Sequence, residues 1–64
     1  MIDKLKIGTK ISFELEDSLN GIPPTIIRAV VKDKFFRNRV VCEDLDHPEN
    51  LYTLYPDENY IRIL

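Results

Sequence analysis

Apolar and polar residues alternate cleanly at the start of the chain. Leu5, Ile7, Thr9, Ile11, Phe13 and Leu15 fall on one parity, and Lys4, Lys6, Lys10, Ser12, Glu14 and Glu16 on the other. A period of two places one set toward a core and the other in water, so a strand is predicted at about 9–16, with Gly8 at its start. Thr25–Val31 is rich in β-branched residues and predicts a second strand. Its parity is imperfect, because Ile26 and Val30 share a face with Arg28, as in a strand partly buried on both faces. Val40–Leu45, Leu51–Tyr55 and Tyr60–Leu64 predict three more strands. No segment holds a helical period over three turns.

The connections carry their own signals. Asn20-Gly21 is a hairpin turn signal, but Pro23 and Pro24 follow it, and proline cannot donate to a central ladder. A long loop over 17–24 is therefore expected. Arg37-Asn38 is the expected hairpin tip, since Asn tolerates positive φ. Residues 46–50 (DHPEN) predict a turn, and 56–59 (PDEN) a single 3₁₀ turn before the last strand. The core expected from this parity is Ile11, Phe13, Leu15, Ile27, Ala29, Val31, Val41, Leu54, Ile61 and Ile63.

Three stretches, KIGTKISFELE, AVVKDKFFRNRVVCED and LYPDENYIRIL, give an opening strand, a central hairpin and a turn-plus-strand ending. That layout resembles the SH3-like small barrels, with the KOW and Tudor types among them. The resemblance implies an all-β fold: a small five-stranded antiparallel SH3-like barrel, one domain over residues 1–64. The aromatic and acidic surface of proline-binding SH3 domains has no clean copy here, and tryptophan is absent. A five-stranded OB-type barrel is the rival layout.

Length and charge narrow the function. At 64 residues the chain makes one domain, and a chain of that size buries only ~60% of its unfolded surface. A single cysteine, Cys42, excludes an internal disulfide and points to a reducing, cytoplasmic setting. No apolar run approaches the ~20 residues of a membrane span. The net charge of −2 is polarised. Residues 1–27 carry three cations and four anions, a net of −1. Residues 28–39 carry five cations and Asp33, a net of +4, and residues 40–64 carry Arg62 and six anions, a net of −5.

No catalytic or metal motif stands out. Cys42 and His47 are too few to be a structural zinc set, which takes four ligands. They also lack the orienting group a nucleophilic pair requires. Their bland reading is a buried apolar cysteine and a turn histidine before Pro48. The carboxylates read as solvated surface, and EDLDHPEN lacks the glycine of a calcium loop. No cofactor is expected.

What remains is KDKFFRNR, residues 32–39. Phe35 and Phe36 point to opposite faces, so only one can face the core, and the other is either exposed among cations or covered by the 17–24 loop. The expected contact surface is Lys32, Lys34, Phe35, Phe36, Arg37 and Arg39, with Tyr52 and Tyr55 as a second patch. The function expected is a non-catalytic module, monomeric or weakly dimeric, that binds another protein. Short orphan domains of this kind resemble accessory or regulatory proteins of bacteria or their phages. The alternative is a KOW-like nucleic-acid binder using the basic hairpin 32–39, against which the acidic total counts.

Overall fold

The computed structural model describes residues 4–17, 21–35 and 38–64. Five strands follow in order: β1 (Lys10–Asp17), β2 (Ile22–Phe35), β3 (Arg39–Asp44), β4 (Leu51–Leu54) and β5 (Ile61–Ile63). All pair antiparallel in one open sheet of order β4-β3-β2-β1-β5. The fold is thus all-β, and β4 and β5 are its two edges. No helix among the described residues is long and apolar enough to cross a membrane.

Strand β2 organises the sheet because it is long enough, at 14 residues, to pair with two neighbours in turn. Its first part runs against β1, from Asp17↔Ile22 to Lys10↔Val30. Its second part runs against β3, from Ala29↔Asp44 to Phe35↔Arg39. The core lies on one face: Leu5, Ile11, Phe13, Ala29, Val31, Val40, Cys42, Leu54 and Ile61 are all buried. Leu5 belongs to it from outside any strand and is fully buried. Gly8, at φ +95, lets the backbone turn from Leu5 into β1, where its N–H donates to the Val31 carbonyl.

Two β-bulges correct the expected picture. Between Leu15 and Asp17 the β1–β2 register slips. There, β2 already includes Ile22, Pro23 and Pro24, residues whose sequence predicts a loop. The prolines are tolerated because pairing with β1 is irregular at that point and β3 reaches β2 only from Ala29 onward. The connection therefore shortens to 18–21, and Gly21 takes φ +70 there, as the Asn-Gly signal suggests; Ser18–Asn20 lie outside the described residues.

The second bulge lies between Val31 and Asp33, with Lys32 as the additional residue. It inverts the parity of β2 relative to β3. Val40, Cys42 and Asp44 consequently face inward, and Val41, expected in the core, lies half-buried on the outer face. Leu15 and Ile63 were also expected inside, but stand 40% and 45% exposed because they sit where the sheet runs out. Ile27 packs against the core while only partly buried. The turn before β5 forms as expected in place, with Glu58 and Asn59 N–H both donating to the Tyr55 carbonyl. The second of these bonds spans four residues, so the turn mixes 3₁₀ and α hydrogen bonding.

Candidate interaction surface

The hairpin tip closes as its residues require. Phe35 pairs with Arg39, and Asn38 adopts φ 60, the left-handed region that its short polar side chain tolerates. After the Lys32 bulge, Phe35 and Arg39 share the outer face with Asp33 and Val41. The Arg39 guanidinium carbon lies 4.6 Å from the Phe35 ring centroid, a cation–π contact. The phenylalanine remains 42% exposed beneath it.

Parity along β4 brings a tyrosine to the same place. Tyr52 and Leu54 face inward, so Leu51, Thr53 and Tyr55 face outward. Val40 pairs with Leu54. Phe35 and Arg39 form one cross-strand row, and exposed Tyr55 follows Leu54 just past the end of β4. Val41 and Thr53, directly paired, form the next row, and Glu43 and Leu51 the one after. Hairpin and tyrosine, read from sequence as two surfaces, meet on one face. Leu51, Thr53 and Val41 were missed as members of it. Their signal, parity along β3 and β4, becomes legible only once the bulge fixes the register.

The other expected contact residues divide. Lys32 lies 3.8 Å from Glu43 in an exposed ion pair, and such pairs contribute little to stability. Lys34 is half-buried opposite Val40. Phe36 and Arg37 lie outside the described residues. Tyr52 is committed internally: its ring meets Phe13 edge-on at 5.2 Å and 70°, and its hydroxyl donates to Asp44.

Asp44 explains why an acid can face the core. It is 3% exposed. Its carboxylate accepts from the Asp46 N–H at 2.8 Å, the His47 N–H at 3.1 Å and the Tyr52 hydroxyl at 3.1 Å. Burial by itself would raise its pKa; the two backbone donors and the tyrosine outweigh that and hold it below the ordinary carboxylate value. Tyr52 is pushed the other way, by burial and then by the bond to Asp44. Together these contacts tie the 45–50 turn to β4.

Cys42 is fully buried in the core, and burial raises its thiol pKa from 9.0 to about 11. His47 lies on the surface, 3.8 Å from Glu49. The two residues therefore occupy opposite settings, apolar interior and exposed turn. Among the described residues no group of three or more His, Cys, Asp or Glu side chains is placed to hold a metal ion. A shallow groove elsewhere, lined by Ser12, Phe13, Glu14, Ile26, Tyr60 and Arg62, crosses β1 and β5. Family models, curated proteins and solved structures were all compared with this chain, and none matches it.

Proposed function

We propose that the protein is a non-catalytic interaction module that binds another protein through the outer face of β2, β3 and β4. The observation that carries this reading is the exposed Phe35 ring capped by Arg39, on the face where Tyr55 is also exposed. Aromatic residues and arginine are the types that anchor protein interfaces. Strand pairing fixes the backbone that carries the ring, and the Arg39 guanidinium packs on the ring, which lowers the ordering cost of binding. The strand order, with a long β2 shared between β1 and β3, also supports the SH3-like layout as the finer description of the fold.

Nucleic-acid binding is the competing outcome. Pairing of Lys32 with Glu43 and of Arg28 with Asp46 lowers the positive charge available to phosphates. The test is capture from cell lysate by the tagged protein, with and without nuclease, beside Phe35→Ala and Arg39→Glu variants. A discrete protein that survives nuclease and is lost with both variants is expected. Recovery of nucleic acid, with co-purifying proteins vanishing after nuclease, would replace this reading with the KOW-like one.

A further inference from the structure

We infer that the free edge of β4 accepts an extended, basic-flanked segment of a partner protein as an added sixth strand. This rests on the protein-binding reading but concerns the main chain of β4, beside the face formed by Phe35, Arg39 and Tyr55.

Asp44 N–H donates to the Asn50 carbonyl at 3.1 Å. Alternation in an antiparallel ladder then makes Cys42/Tyr52 and Val40/Leu54 the hydrogen-bonded pairs. Leu51 and Thr53 must direct their N–H and C=O groups away from β3. Both residues are exposed, Leu51 by 63%. The edge stops at Tyr55, whose N–H and carbonyl are taken by Asn59 and by the turn amides. What is offered is two donors, two acceptors and an apolar side chain, the requirements of strand addition.

The opposite edge offers less. On β5 the bond from Leu64 N–H to the Lys10 carbonyl leaves Ile61 and Ile63 as the outward-pointing residues, and Ile61 is only 3% exposed, so one residue remains where β4 has two. The first part of β2 carries Pro23 and Pro24, which lack donors.

Charge selects the occupant. The strand LYTL is uncharged, but an acidic turn stands at each end. Asp46 and Glu49 precede it, and Asp57 and Glu58 follow it; all four are exposed. Asp46 is shared with Arg28, and Glu49 with His47. Arg39 is the opposing cation at the Tyr55 end, and it is stacked on Phe35. Lys32 and Glu43 offset one another. A segment lying along β4 therefore meets carboxylates at both termini and Leu51 between them. Basic residues at its ends and β-branched residues at its centre complement that pattern. A second copy of this chain does not, because either orientation of β4 against β4 places acidic turn beside acidic turn.

The experiment titrates the isotopically labelled full chain with the peptide Lys-Lys-Val-Thr-Val-Lys-Lys, followed by amide NMR. The expected result is saturable shifts at Leu51 and Thr53 with new exchange protection there, weakened by salt. The acidic counterpart Glu-Glu-Val-Thr-Val-Glu-Glu should cause none. Thr53→Pro deletes an edge donor without touching the β3 ladder and should abolish the effect in a folded protein. Glu49→Lys with Glu58→Lys, both on the surface, should weaken it at least several-fold whether or not the proline variant folds. Shifts elsewhere, equal response to the acidic peptide, or protection of β4 by self-association without peptide would each overturn the proposal. Phe35→Ala should leave this titration intact, so failure of the edge and failure of the face are separately visible.

Discussion

The hydroxyl of Tyr52 lies 3.1 Å from the Asp44 carboxylate and donates to it from the facing strand, linking β4 to the turn after β3. A buried acid is thus held ionised by three donors. Because its pKa is lower folded than unfolded, its stabilising effect is present above the unfolded carboxylate range, near ~3.9. It is lost as pH falls through the folded value. Wild-type Tm should therefore fall on acidification below about pH 4, and Asp44→Asn should flatten that limb. Tyr52→Phe should cost about 1.5–3 kcal/mol at neutral pH, the range for a hydrogen bond to a charged group. An unchanged acid limb in Asp44→Asn would show that other carboxylates govern it.

The thiol of Cys42 gives the opposite dependence. Its folded pKa is raised, so unfolded chains ionise first as pH rises above 9.0, and folding stability declines until about 11. A thiol reagent at pH 8 should label Cys42 only after denaturant unfolds the chain. Fast stoichiometric labelling of the native protein would contradict its burial.

Leu5 is fully buried although it lies outside every strand. Leu5→Ala should cost about 2–5 kcal/mol. For a domain of this size, with a total stability of roughly 3–10 kcal/mol at the usual per-residue value, that loss removes a large share of the stability and should lower the urea midpoint strongly. Leu15→Ala, at a 40% exposed site, should cost clearly less in the same urea titration.

The bulge at Lys32 makes neighbouring valines unequal. Val40 is fully buried and Val41 is not. Val40→Thr should destabilise by more than 1 kcal/mol through its unpaired hydroxyl (about 1–3 kcal/mol for such a group). Val41→Thr should be close to neutral. Equal effects would mean that the β2–β3 register differs from that described.

At the hairpin tip, Asn38→Val should cost about 1–2 kcal/mol because φ 60 strains a β-branched residue, while Asn38→Gly should be tolerated. Thermal unfolding of the pair separates conformational strain from loss of the asparagine side chain, since only the former spares the glycine variant.

Much of this architecture was legible in the chain. Alternation at Ile11 and Phe13 specified the inward side of β1, since the side-chain period of a strand is fixed by its pleat, whereas Ile7, on the same parity before the strand, is exposed. The Asn38 tip and the turn after Tyr55 followed from residues whose backbone preferences are local. The candidate surface was half legible: Phe35, Arg39 and Tyr55 stood out as aromatics and a cation, but as two separate patches.

Tertiary structure decided what local preference could not. Either parity of Val40-Val41-Cys42-Glu43-Asp44 has apolar members, and the correct one buries an aspartate, which sequence logic disfavours. That burial becomes acceptable only when Asp46, His47 and Tyr52 converge on the carboxylate, an arrangement made by the folded turn and the facing strand. The bulge at Lys32 likewise arises from pairing between β2 and β3 and has no mark in either strand alone. By shifting one strand by one residue it set the face that carries Phe35, Arg39 and Val41 on the outside of the sheet and not toward the core.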